Sequence, residues 1–449
     1  MKKLVFGFAV LSVMLAASCK KDKNTTVTPV EDPNGYVINS DVAANRTLLS
    51  GKTYTMEGVI YVKSGITLTI QPGVTIKVAK GKNALVVTRG AKIMAVGKVD
   101  SPIVLTSAEA APNPGDWGGI VLLGKATTNA SFSGAAGTGE IEGGINNSNG
   151  EGLYGGTDDA DNSGKLKYVR VEYGGYPFQP DKEINSLTMG GVGSGTEIDY
   201  VECAYGGDDA FEWFGGTVNA KHLISYKCLD DDFDTDNGFR GTVQFGIVVR
   251  DKDKADISGS NGFESDNDAS GTTTTPITAP VFANITIIGP KQDASTTISS
   301  NFKRGAHLRR NTRTSIFNSV IIGYPTGILV DGSKAATNLI NGDMELRGIV
   351  IAGATKALDT VGTSSTTLGS LSTYFTATAA WNNEVKTNST DAGLTAAFGA
   401  GSAFDPTPTA GSLLTSGVAT SSKLSNATTV SYRGAAGVGD TWWKTWSKF

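Results

Sequence analysis

From residue 58 onward the chain breaks into short apolar runs closed by glycine. "GVIYVKSGITLTIQPGVTIKV" (58–78), "NALVVTRGAKIMAVG" (83–97) and "SPIVLTS" (101–107) are alternating or continuously apolar and rich in Val, Ile and Thr. That period of two predicts β-strands, with glycine marking the turns. A sustained helical period is missing before about residue 390, and a short helix is predicted near "DAGLTAAFG" (391–399). The strand units also resemble one another. "YVRVEYGGYPF" begins at Tyr168 and "YVECAYGGDDAF" at Tyr200, while "ANITIIG" (283–289), "FNSVIIG" (317–323) and "RGIVIAG" (347–353) share one template.

A unit this short cannot bury its own apolar side, so neighbours must stack. A parallel β-helix, a propeller and a sandwich all satisfy that demand. Like positions recur at unequal intervals, as from Tyr168 to Tyr200, from Asn284 to Asn318 and from Asn318 to Gly348. That irregularity favours the solenoid, which tolerates insertions on one side. Cys203 in "YVECAYG" and Cys228 in "SYKCLDD" occupy like places, separated by a plausible length for one coil. They are expected on adjacent coils, either as a disulfide or as a reduced stacked pair. The fold class is therefore all-β, a parallel β-helix.

Longer phrases sharpen this. "GITLTIQPGVTIKV", "RGAKIMAVGKVDSPIVLTS", "GDWGGIVLLG", "INSLTMGGVGSGTEIDYVE", "GGDDAFEWFGGTVNAKHL", "DDDFDTDNGFRGTVQFGIV" and the ending "YRGAAGVGDTWWKTWSKF" resemble a family of Bacteroidetes outer-membrane lipoproteins. The resemblance runs from about residue 50 to the end. It implies a single-stranded, right-handed parallel β-helix of the pectate-lyase-like superfamily with long loop insertions. That family has no settled activity, and its superfamily holds lyases, hydrolases and binders, so it predicts fold rather than function.

The N-terminus adds a location. "MKKLVFGFAVLSVMLAASC" has the basic, apolar and small-residue order of a secretory signal, and "LAASC" resembles a lipobox. Residues 1–18 are then the signal peptide, Cys19 the lipidated residue, 19–49 a polar tether, and 50–449 the β-helix with its C-terminal tail. "CKKDK" is similar to the start of many Bacteroidetes lipoproteins, which implies an outer-membrane anchor; surface exposure is expected ahead of a periplasm-facing arrangement, although the acidic display signal is weak. The stretch 126–165 is rich in Gly, Asn and Ser and is expected to be a long ordered loop. Trp442, Trp443, Trp446 and Phe449 are expected to cap the last coil.

Charge and composition mostly exclude. Lys+Arg 39 against Asp+Glu 43 gives a net charge of −4 over 449 residues, without the basic excess that nucleic acid requires. Two histidines and three cysteines supply zinc sites and His-based triads poorly. His222 lies inside a repeat and is expected to be a strand residue. The 57 glycines signal many tight turns.

The one concentrated chemistry is acidic. Asp208 and Asp209 in "GGDDAFEWFGG" precede Asp231 and Asp232 in "LDDDFDTDNG" by the same interval that separates Gly215 from Gly238. Stacking of coils at that interval is expected to bring the two pairs together. With Asp234 and Asp236 they form a candidate oxygen site for Ca²⁺. It is no EF-hand, because Asn237 stands where the invariant glycine belongs. The alternative is a solvated or arginine-paired acidic turn, with Arg240, Arg304, Arg309, Arg310 and Arg313 as partners. A catalytic version uses Asp208, Asp209, Glu212 and Asp232 as acids and Arg309 or Arg310 as a lyase base, for a polysaccharide lyase or glycoside hydrolase on acidic polysaccharide. A binding version needs only Trp213 as a sugar platform, with Phe211 and Phe214 pointing inward. A monomeric, lipid-anchored module binding a glycan or an outer-membrane protein is the expected function, and a structural or adhesive surface role is a further alternative.

Overall fold

The computed structural model describes Met1 and residues 31–179 and 182–449. In it the short apolar runs pair side by side in chain order. One sheet has ten strands, from Val59–Val62 through Leu187–Gly190, Phe211–Phe214, Phe233–Asp236, Asn261–Ser265 and Arg304–Leu308 to Lys356–Val361. Each strand is parallel to the one before it. Sequence order equals spatial order, which is the signature of a solenoid adding one strand per coil. The companion sheet carries the longer strands Gly164–Glu172, Glu197–Ala204, Asn219–Tyr226, Thr242–Val249 and Val281–Ile288, also parallel and adjacent in that order.

Like residues stack because the register repeats. Leu187, Phe211, Phe233, Phe263, Ala306 and Ile328 form one inward column. Its aromatic rings lie 5.8 Å (Phe211–Phe233) and 5.5 Å (Phe233–Phe263) apart. The long strands bend at one place on every coil. Tyr168, Tyr200, His222, Phe245 and Asn284 occupy equivalent positions with φ of 49°, 54°, 51°, 63° and 55°. A left-handed residue other than glycine costs roughly 1–2 kcal/mol. Ring stacking offsets this cost, at 4.5 Å for Tyr168–Tyr200, 4.2 Å for Tyr200–His222 and 5.0 Å for His222–Phe245. His222 is thus a strand residue in a ring ladder, with Nδ1 2.7 Å from Asp199.

Insertions leave the coil where a turn can lengthen without disturbing register. Residues from the two segments that flank Gly164–Glu172 fold back over the early part of the ten-stranded sheet. Their Ile141, Ile145, Tyr154, Phe178 and Ile184 pack on Val86, Val121, Leu123 and Phe214.

Three expectations change here. Val37–Ile38 and Arg46–Leu48 are strands paired into the companion sheet, so the solenoid begins inside the stretch read as tether (19–49). Among the described residues the α-helices are Ser333–Ile340 and Thr363–Leu368, whereas 391–399 holds the end of a 3-10 turn and the strand Leu394–Ala396. The aromatic tail does not close the terminal coil. Leu368, Leu371 and Phe375 do that by joining the main core. The tail runs back along the outer side of the companion sheet as a strap. Ala419 meets Asn318, Thr428 meets Gln244, Trp446 meets Tyr200 and Tyr168, and Lys448 meets Glu202. The reason is apolar area: Ile224, Ile247, Ile288 and Val320 point outward there and are buried in one cluster with Phe404, Leu414, Ala435, Trp443 and Trp446 of the tail.

Candidate functional site: an acidic face on the ten-stranded sheet

Strand alternation decides what this face shows. In Phe211–Phe214 the residues Phe211 and Trp213 point into the core, so Glu212 and Phe214 point out. Register then stacks Thr188, Glu212, Asp234, Glu264 and His307 in one outward column. At the corner before these strands the chain turns through Asp208–Asp209 and, one coil on, Asp230–Asp231. These corner aspartates tie coil to coil. Asp209 accepts from the Asp231 amide at 2.8 Å, and Asp231 accepts from the Asn261 amide at 2.5 Å.

The carboxylates gather in three overlapping sets: Asp208, Asp209 and Asp230; Asp209, Glu212 and Asp234; Asp231, Asp234 and Glu264. In each set the oxygens lie within 4.8 Å of one another. Among the described residues, Glu264 is the only member in an ion pair with Lys, Arg or His. Burial, and then the neighbouring charges, push Asp208, Asp209, Glu212, Asp231 and Asp234 well above the usual carboxylate range. The same causes raise Asp230 to about 6 and Asp236 to about 7. A face in this state takes up protons or a cation.

Beyond Glu264 the charge balance reverses. Arg309 donates to Asp266 at 2.8 Å and to Glu264, and Arg310 donates to Asp266 at 2.7 Å. His307 lies 3.5 Å from Glu264 and 3.2 Å from Asp331. Burial works against ionisation of Glu264, but His307 and Arg309 hold it below its ordinary value. Glu264 and Asp266 in turn keep the Arg309 guanidinium protonated, the wrong state for a lyase base. Arg240 and Arg313 are engaged elsewhere, with Asp159 at 3.0 Å and Asp343 at 3.4 Å.

Several assignments are corrected. The strands pair Phe211 with Phe233, so the coil offset is one position shorter than the glycine spacing suggested. Asp208 therefore sits by Asp230, and Asp209 by Asp231. Asp232 turns inward, fully buried, with Arg250 at 2.9 Å and Ser225 at 2.6 Å, and is neither a metal ligand nor a catalytic acid. Asp230 takes its place, and the triple aspartate of "LDDDF" was its only signal in the sequence. Asp236 shares the face but belongs to none of the three sets. Trp213 is buried between Phe211 (6.0 Å) and Phe239 (5.3 Å), so no sugar can stack on it. Phe214 faces outward onto Tyr154, because 211 and 214 differ by an odd number. Cys203 pairs in register with Ser225, not Cys228. Both thiols are free and buried, and Cys228 donates to the Cys203 carbonyl at 3.5 Å.

Parallel strands stacked coil upon coil, with a polar sheet face turned outward, define an all-β parallel solenoid. Residues 40–402 match the family described as pectate-lyase like beta helix domain, and the chain belongs to that family. No curated protein and no solved structure matches the chain.

Proposed function

We propose that this β-helix is a binding module whose ligand face is the outward side of the ten-stranded sheet, from Asp208 to Asp331. The proposed ligand is a glycan, bound with Ca²⁺ as the cofactor. One observation carries the reading: five carboxylates, Asp208, Asp209, Glu212, Asp230 and Asp234, crowd together without a cationic partner among the described residues. Their donors are all oxygen, which suits a hard divalent ion. Arg309, Arg310 and His307 adjoin them and suit the anionic groups of an acidic glycan. Lipid anchoring through Cys19 and display on the outer membrane belong to the same reading. They rest on "LAASCKKDK", which lies outside the described residues.

A second reading, a lyase or glycoside hydrolase on acidic polysaccharide, is favoured by the carboxyl groups held above their ordinary range, which could stand as an acid beside an ionised base. One experiment separates the two. Wild type and Asp209→Asn are passed over immobilised polygalacturonate and alginate, with calcium or with chelator. Calcium-dependent retention by wild type alone, with no new chain ends, supports binding. Ultraviolet-absorbing unsaturated ends or new reducing ends assign catalysis, and no retention on either polymer removes acidic glycan as the ligand.

A further inference from the structure

The three carboxylate sets are not equivalent, and the difference bears on how many ions the face holds. The inference below rests on the reading that this face takes a divalent cation. In the set of Asp231, Asp234 and Glu264, a guanidinium and a side-chain amide already engage the carboxylates. The Asn261 side-chain amide reaches Asp231 at 3.4 Å and Glu264 at 3.1 Å, and Arg309 is bound to Glu264. A cation entering there would meet N–H groups. The other two sets have no Lys, Arg or His paired with them among the described residues; Asp209 accepts from the Asp231 amide and Asp230 from the Ser258 hydroxyl, both at 2.8 Å. The Asp208 and Asp234 carboxylates make no hydrogen bond or ion pair among the described residues, and the Glu212 carboxylate accepts only from Asn185.

Two buried oxygens point the same way. Thr188 is 1% exposed, and its hydroxyl has no hydrogen-bond partner. It is the register partner of Glu212, flanked by inward-facing Leu187 and Met189, so its side chain stands on the outward face beside the Glu212 carboxylate. One carboxylate oxygen of Asp230 is likewise buried and unpartnered. Leaving such groups unsatisfied is costly; Thr188 adjoins one open set, and Asp230 is a member of the other.

We infer that the face holds two divalent cations side by side, one among Asp208, Asp209 and Asp230 and one among Asp209, Glu212, Asp234 and Thr188, with Asp209 bridging them. Two dications set against five carboxylates leave a residual charge of about −1, close to neutral for a half-buried site. All donors are oxygens, which selects Ca²⁺ or a similarly hard ion over zinc. The ligands come from three successive strands and the corners before them, so the pair also staples coils together.

The test is equilibrium dialysis of the full chain against ⁴⁵Ca²⁺, with folding of each variant checked by circular dichroism. Wild type should bind two ions, Asp208→Asn and Glu212→Gln one each, and Asp209→Asn none. Thr188→Val should weaken one ion several-fold and leave the other unchanged. One ion in wild type overturns the pair while leaving the calcium reading standing, and no ion overturns both. Two ions in wild type with one retained in Asp209→Asn overturn the bridge.

Discussion

Replacing Asp234 by asparagine should move the melting temperature in opposite directions with and without calcium. Asp234 belongs to two of the carboxylate sets, with oxygens of its neighbours within 4.8 Å. Two unit charges at that separation repel by about 3 kcal/mol at an effective dielectric of about 20, and by about 1 kcal/mol in bulk water. Asp234 is half-buried, and sharing of protons within the cluster lowers the repulsion further. Relief of about 1–2 kcal/mol is the reasonable magnitude. Asparagine keeps the shape, removes the charge, and adds an N–H donor toward the remaining carboxylates. In chelator at about pH 8 the variant should therefore melt higher, by about 1–3 °C for a domain of this size. With millimolar calcium the sign should reverse, because the variant loses a charged ligand. Even a tenfold weaker ion removes about 1.4 kcal/mol of linked stability. Differential scanning calorimetry in the two buffers reads both numbers. A fall in melting temperature of the same size in both would refute the repulsion and the cation together, leaving Asp234 a merely structural residue.

Stability without calcium should also depend on pH in an uncommon direction. The raised groups, with Asp230 and Asp232 near 6, Asp236 near 7 and Glu202 near 8, bind more protons folded than unfolded between about pH 4 and 8. Stability then falls as pH rises through that window, so the chelated protein should melt higher at about pH 5.5 than at about pH 8. The lowered groups Asp32, Asp116 and Glu151 act oppositely, below about pH 4. A melting temperature that climbs from pH 5.5 to 8 in chelator would contradict the assignment. On the far side of the solenoid, Trp446→Ala should cost about 3–5 kcal/mol and loosen the strap. Trp446 is fully buried, 5.8 Å from Tyr168 and 6.0 Å from Tyr200. Limited proteolysis should then cut within 419–449 while calcium binding persists, and an unchanged digestion pattern would count against the strap.

Much of the architecture was legible in the chain. A period of two over a short apolar run reports a strand whatever its neighbours are, and glycine at recurring intervals reports the corners. The acidic cluster could be located too, because "GGDDAFEWFGG" and "LDDDFDTDNG" carry carboxylates about one coil apart. What the alternation leaves open is which parity points inward and which residue of one coil lies over which of the next. Phe233 lies over Phe211, whereas the spacing of Gly215 and Gly238 placed Asp231 over Asp208, which assigned Asp232 to the face and passed over Asp230. One position of register exchanges the two sides of a strand, so that slip moved a buried partner of Arg250 into a metal site. Trp213 and Phe214 exchanged roles for the same reason of parity. The strap lay beyond local reasoning altogether. A run of tryptophans announces that it must be buried, but only the tertiary structure shows which of several apolar surfaces is left uncovered for it. Strands, corners and the presence of an acidic cluster are local consequences of side-chain type and spacing, and so could be read along the chain. Tertiary structure decided which carboxylates meet, which are matched by Arg309 and which stay unpaired, because those depend on stacking between side chains a whole coil or more apart along the chain.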